Sequence, residues 1–145
     1  MRRSLLVFCA LLSAPLLQFA SVQALAADSP KKIVLQISDG APGTQTQVLN
    51  VANNLLTAYG PGNVKLEIVA FGPGLRLLFD DNANKARVQS LAASDVRFSA
   101  CQNTGKAMTV ALGHAPKLVK DAVSVDAGIV RIVDLTSEGY VNVRP

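Results

Sequence analysis

Short apolar runs alternate with segments of helical periodicity from residue 33 to the end of the chain. The runs predicted as strands are 33–37, 64–71, 96–100, 122–125 and 140–144. The predicted helices are 44–59, 84–93, 104–112 and 128–135, and a short apolar turn lies at 75–79. The segment 128–135 is ambiguous, because strand alternation would place Arg131 on the same face as Ile129 and Val133. Helical spacing separates them, so we predict a helix with Asp126 as its cap and Gly139 at its end.

A repeated strand–helix pattern predicts parallel strands joined by right-handed crossovers, with helices on both faces of one sheet. We therefore expect a single flavodoxin-like α/β domain of three layers over residues 27–145. Its five-stranded parallel sheet is predicted to have the order 2-1-3-4-5. No linker, repeat or low-complexity tract indicates a second domain.

Residues 1–26 have the features of a secretory signal peptide. Arg2 and Arg3 precede an apolar run at 5–17, and a small-x-small site ends at Ala26. Ser13 and Pro15 interrupt this run, which is shorter than the roughly 20 residues that a membrane span needs. We expect cleavage after Ala26, a periplasmic location, and no membrane association of the mature protein.

The mature chain is almost neutral, which limits the classes of partner. Subtracting the two arginines of the signal segment from the 14 basic residues leaves 12 basic against 10 acidic side chains. No basic cluster is longer than Lys31-Lys32, so we expect no binding to nucleic acid. Arg76 is predicted either to reach an anionic ligand or to be solvated. Neither a GxGxxG nor a GxxxxGK[ST] pattern occurs, and no ligand cluster for a metal is evident, so no cofactor is expected.

Cys101 is the one cysteine left after signal removal, so no disulfide can form within the mature chain. The predicted strand order brings the loops 38–44 and 101–104 together at the carboxyl ends of the first and third strands, where such folds bind ligands. Free N–H groups and the dipole of the following helix favour a thiolate, which lowers the pKa of a cysteine below ~8.5. The alternative is that Cys101 is a small apolar residue that completes a core strand.

Four further residues are predicted to bind at this place, namely Asp39, Gly40, Asn103 and Thr104. Their alternative roles are local, with Asp39 and Gly40 in a turn and Asn103 or Thr104 as a helix cap. His114 lies about 15 Å further along the helix axis, because each residue adds ~1.5 Å. A Cys–His hydrolase is therefore not expected, and His114 is predicted to lie at the helix end.

No charged residue occurs from position 40 to 64, although this stretch contains a whole helix. The outer face of this helix is expected to carry Asn50, Asn53, Asn54 and Thr57. An uncharged polar stripe is typical of an oligomer contact, and a merely Asn-rich surface is the alternative.

Three segments resemble the DsrE/DsrF-like family of small sulfur-metabolism proteins, in particular an exported branch of it. They are FGPGLRLLFDDN (71–82), VRFSACQNT (96–104) and VDAGIVRIVDLTSEGYVNVRP (125–145). The resemblance covers essentially all of the mature chain. It implies a flavodoxin-like fold, homotrimers or homohexamers, and a cysteine that carries persulfide sulfur, at the position of Cys101. The chain departs from the usual motif at Gln102 and Gly105.

The sequence supports two hypotheses of different class. In the first, the protein is a sulfur carrier, with possible sulfurtransferase-like activity, in which Cys101 accepts sulfane sulfur from a donor and passes it to an acceptor thiol. In the second, it is a non-catalytic oligomeric binding module with an inert, buried Cys101.

Overall fold

The computed structural model describes residues 29–145, so the predicted signal segment 1–26 lies outside the described residues. The strands of this part of the chain are β1 (Lys31–Ile37), β2 (Val64–Ala70), β3 (Arg97–Cys101), β4 (Ala122–Val125) and β5 (Val141–Val143). The helices are α1 (Pro42–Tyr59), α2 (Lys85–Ala92), α3 (Gln102–Leu112) and α4 (Gly128–Ser137), and a 3-10 helix (Gly72–Leu78) follows β2. Every predicted strand and helix is present, and the ambiguous segment 128–135 is helical.

The strands form one five-stranded sheet, in which all four neighbouring pairs are parallel. The α/β fold with helices on both sides of a parallel sheet is thereby confirmed. The strand order is 4-3-2-1-5, so the predicted order 2-1-3-4-5 is wrong. Residues 66–70 of β2 are all buried, which suits an interior strand rather than the edge position that the predicted order gave it. The edges are β5, as predicted, and β4 in place of β2, and these two strands are only 3 and 4 residues long.

The direction of the chain across the sheet explains which face each helix covers. From β1 to β4 the chain moves in one direction, so right-handed crossovers place α1, α2 and α3 on one face. The last crossover returns to the other side of β1, which places α4 on the opposite face. Two hydrophobic clusters lie on these two faces of the sheet. The larger includes side chains of α1, α2 and the 3-10 helix, and the smaller joins Val34 and Val69 to Ile132 and Leu135 of α4.

Helix α4 covers its face of the sheet incompletely. Its side chains Ile129, Val130 and Val133 are exposed, and so is Val123 on the edge strand β4. The predicted cap at Asp126 is wrong, because the N-cap residue is Ala127 and no side chain caps this helix. Over residues 29–145 no helix is both long and apolar enough to cross a bilayer.

Candidate functional site

Cys101 is at once the last residue of β3 and the N-cap of α3. The helix starts at Gln102, two residues earlier than predicted. Its cap is the cysteine side chain itself, because the Thr104 N–H group donates to Cys101 Sγ at 3.5 Å. This replaces the alternative in which Asn103 or Thr104 caps the helix. The sulfur therefore faces the free N–H groups of the first turn of α3, which favour a negative charge.

The Thr104 hydroxyl connects this turn to the loop after β2. Its oxygen accepts a hydrogen bond from the Gly72 N–H group at 2.9 Å, and the same hydroxyl helps to lower the pKa of the Cys101 thiol. Gly72 has a φ of +51°, a conformation that side-chain-bearing residues rarely adopt. A glycine at the start of the 3-10 helix thus lets the backbone turn so that its N–H group holds Thr104 beside the sulfur.

The loop after β4 supplies the third part of the site. The Asn103 N–H group donates to the Asp126 carbonyl at 3.2 Å, and the Gly128 N–H group at the start of α4 helps to lower the pKa of the Cys101 thiol. A Cβ on Gly128 would lie 2.9 Å from Phe71 Cβ, which is too close for any other residue without a shift. The absence of a side chain at Gly128 therefore allows the amino end of α4 to approach β2 and the thiol.

Two opposing influences set the pKa of the Cys101 thiol. Burial is the largest influence and raises the pKa, since the residue is only 6% exposed. The Thr104 hydroxyl and the backbone N–H groups of Gly128, Thr104 and Asn103 stabilise the thiolate, and together they outweigh burial. The net effect is a pKa below the ordinary cysteine value, which increases the fraction of the nucleophilic thiolate.

A cavity of about 250 Å³ has Cys101 in its wall. Its other walls come from α3, the 3-10 helix, β4 and the segment 115–118. Lys106, which is exposed, lies one turn further along α3 and is the charged residue of this lining. The thiol thus borders a small space that has a positive charge on one side.

Asp39 and Gly40 lie in a different place. Asp39 closes the turn before α1, where its carboxylate accepts from the Ala41 N–H group at 2.8 Å and from the Thr44 hydroxyl at 3.4 Å. A Cβ on Gly40 would lie 2.9 Å from the Pro73 carbonyl oxygen, so this glycine allows the loops after β1 and β2 to pack. Among residues 29–145, no hydrogen bond joins Asp39 or Gly40 to the Cys101 loop.

The strand order explains this separation. Because β2 lies between β1 and β3, the loop after β1 is not adjacent to the loop that follows Cys101. Gly40 instead borders a second cavity of about 530 Å³, together with Arg76, which is exposed. His114 is exposed beyond the end of α3, as predicted, and its Nδ1 lies 3.2 Å from the Ala115 carbonyl.

Sequence reasoning missed a buried ionic network at the amino end of the sheet. Glu67 on β2 is 2% exposed, and its carboxylate accepts from Arg131 Nε at 2.8 Å and from Arg131 Nη2 at 2.7 Å. The Ser99 hydroxyl of β3 donates to the same carboxylate at 2.6 Å. The network therefore fixes α4 to β2 and β3. A glutamate inside an apolar strand and an arginine inside an apolar helix were the available signals.

No candidate metal site is found in the part of the chain that the structure describes. No three histidine, cysteine, aspartate or glutamate side chains of residues 29–145 come together to hold a metal ion.

Comparisons with known proteins support the fold but not a function. No protein-family model and no curated protein matches the chain. Among solved structures, the chain is similar to MTH1491 from Methanobacterium thermoautotrophicum, which is described as a protein of unknown function. The TM-score is 0.72 at 27% sequence identity, and the match covers 79% of this chain and 99% of the other. The similarity extends over nearly the whole of that protein.

Proposed function

We propose that this protein is a periplasmic sulfur carrier that holds sulfane sulfur on Cys101 as a persulfide. The observation that carries the proposal is the hydrogen bond from the Thr104 N–H group to Cys101 Sγ at 3.5 Å, which places the sulfur at the amino end of α3. The Thr104 hydroxyl and the backbone N–H groups of Asn103 and Gly128 lower the pKa of the thiol further, so the loops after β3 and β4 both favour a thiolate.

These donors suit both states of a carrier. The free thiol must form a thiolate to attack, and the persulfide that results is itself an anion at neutral pH. The backbone N–H groups of Asn103, Thr104 and Gly128 stabilise a negative charge at this place in either state. The proposal thus rests on Asn103, Thr104 and Gly128, whereas Asp39 and Gly40 make no contact with the thiol.

The transfer step needs no external oxidant. The Cys101 thiolate attacks the terminal sulfane sulfur of a donor, a new S–S bond forms at Cys101 Sγ, and the S–S bond of the donor breaks. The electron pair of that bond leaves with the rest of the donor, as a thiolate from a persulfide, as a sulfide or shorter polysulfide from a polysulfide, or as sulfite from thiosulfate. An acceptor thiolate then attacks the outer sulfur of the persulfide, and Cys101 is released as a thiolate. Lys106 at the cavity beside the thiol provides a positive charge for an anionic donor.

The inert binding module remains the second candidate, because Cys101 is only 6% exposed. The rate of alkylation by iodoacetamide as a function of pH separates the two. A carrier is expected to react in the native state with a midpoint below the ordinary thiol pKa, and the same protein unfolded in denaturant serves as the matched control. Cys101→Ser should abolish the reaction, because Cys101 is the only cysteine of residues 27–145. A native thiol that reacts only as fast as global unfolding permits would favour the inert module.

We also propose that the mature protein forms homo-oligomers through α1. The exposed side chains of this helix between positions 46 and 57 are uncharged, as the sequence predicts. The Asn50 side chain already has a partner within the fold, since its Oδ1 accepts a hydrogen bond from Arg87 Nη2 of α2 at 2.7 Å. A trimer or hexamer through this surface would leave the carboxyl end of β3 free for donors and acceptors.

A further inference from the structure

Basic side chains from neighbouring strands lie side by side at the amino end of the sheet, on the face that α4 covers. Lys32 of β1 is in register with Lys65 of β2, and Arg97 of β3 is in register with Glu67 of β2. Because residues two apart on a strand point to the same face, Lys65 lies on the same face as Glu67 and Arg97. Like charges in adjacent register positions repel each other unless an opposite charge lies between them.

The carboxylate of Glu67 does not balance all of these cations. Arg131 binds both of its oxygens, at 2.8 and 2.7 Å, so this one carboxylate is shared between Arg131 and a longer ion pair with Arg97. Arg97 Nε is 3.6 Å from the nearer Glu67 oxygen, which is beyond a hydrogen bond, and its side chain is 46% exposed. Within residues 29–145 the Nη groups of Arg97 have no hydrogen-bond partner.

The two lysines differ in their partners. Lys32 donates to the Glu138 carbonyl at the end of α4 at 2.9 Å and lies 5.8 Å from the centre of the Tyr140 ring. Lys65 is exposed, and no ion pair or hydrogen bond of its ammonium group is found in residues 29–145. Arg97 and Lys65 are therefore two cations on one face of the sheet whose donors are available to a ligand.

Both cations border a cavity of about 860 Å³, the size of a small-molecule site. Arg131 completes its basic side, while the Glu67 carboxylate, paired with Arg131 and Arg97, and Asp95, without an ion pair to Lys65 or Arg97, are the acidic groups of the lining. The remaining wall is mixed and includes Leu56, Thr57 and Ser94. The cavity is distinct from the Cys101 site, since Arg97 and Cys101 are opposite ends of β3, about 13 Å apart at ~3.3 Å per residue.

We propose that this cavity binds a dianionic ligand through a phosphate or sulfate group. The planar guanidinium of Arg97 offers paired N–H donors to two oxygens of such a group, and Lys65 offers a point charge to a third. The Nη groups of Arg97 and the ammonium group of Lys65 thus offer donors from two cations, and the bound group would remove the repulsion within the basic row.

Calorimetric titration of the purified protein with inorganic phosphate and with sodium sulfate tests this proposal, with sodium chloride at matched ionic strength as control. Saturable binding is expected, and Arg97→Gln and Lys65→Gln should each weaken it about tenfold or more, equivalent to ~1.4 kcal/mol. Lys120→Gln, an exposed lysine outside the cavity lining, should leave it unchanged.

A preference for one of the two anions identifies the group. Lys65→Gln removes no contact within the fold, so a loss of binding in this variant does not reflect misfolding. Heats that follow ionic strength alone, or affinities that are equal in wild type and both cavity variants, would overturn the proposal.

Discussion

Replacing Arg131 with methionine tests whether the ionic network at the amino end of the sheet holds α4 in place. Methionine preserves most of the length of the side chain but removes both hydrogen bonds to Glu67, which are 2.8 and 2.7 Å long. The Glu67 carboxylate would stay in a position where its side chain is 3% exposed, with the Ser99 hydroxyl as its remaining hydrogen-bond donor. A buried charge would thus lose its main compensation.

The expected loss of unfolding free energy in Arg131→Met follows from the burial of the Glu67 carboxylate. Removing one partner of a buried ion pair costs about 3–5 kcal/mol of unfolding free energy. Arg131 is 26% exposed and Arg97 Nε remains 3.6 Å from the carboxylate, so we expect the lower end of this range. For a domain of this size ~3 kcal/mol corresponds to a decrease in the melting temperature of roughly 10 °C. Adding Glu67→Gln removes the unpaired charge, so the double variant should lose about 1–2 kcal/mol less than the sum of the single losses.

Urea unfolding followed by far-UV circular dichroism measures these differences, since the chain contains no tryptophan. Arg144→Met, an exposed arginine near the carboxyl terminus, is the matched control and should change stability by less than ~0.5 kcal/mol. A loss for Arg131→Met as small as that of the control, or additive effects in the double variant, would refute the reasoning.

Two further predictions concern the thiol and self-association. Thr104→Ala removes the hydroxyl that accepts from the Gly72 N–H group and lowers the pKa of the thiol, so this pKa should rise in a titration of thiolate absorbance, whereas Thr104→Ser should preserve it. An unchanged pKa in the alanine variant would contradict this role. Gln47→Glu with Asn54→Lys places charges on the exposed face of α1 and should shift the oligomer toward monomer in sedimentation velocity. A wild-type protein that is already monomeric, or an oligomer that only Val130→Glu on α4 disrupts, would contradict an interface on α1.

The elements of the fold were predictable because each depends on local pattern. The helix at 128–135 shows this, since the spacing of Ile129, Val133 and Arg131 separates helix from strand without knowledge of their neighbours. The strand order was not predictable in the same way, because it depends on which strands are short enough to lie at the edges of the sheet. The buried run of β2 and the short β4, none of whose four residues is buried, indicate the observed order, since β5 lies at an edge in both orders.

The site was predictable in part for the same reason. Cys101, Asn103 and Thr104 are neighbours in sequence, and the strand-to-helix junction alone places them together. Gly128 lies close to the thiol only because β4 pairs with β3, and this pairing depends on the tertiary structure. Asp39 was assigned to the site through the incorrect strand order, and its carboxylate in fact closes the turn before α1.

The proposal that Cys101 accepts sulfur is tested by the mass of the intact protein, measured after incubation with a sulfane-sulfur donor. Donors of the polysulfide or thiosulfate type should add one sulfur atom to the folded protein. Reductant should remove this sulfur, and a second protein thiol should accept it. Cys101→Ser should prevent the addition, because Cys101 is the only cysteine of residues 27–145. A folded wild-type protein that gains no sulfur, although its unfolded form does, would show that Cys101 is a packing residue and not a sulfur acceptor.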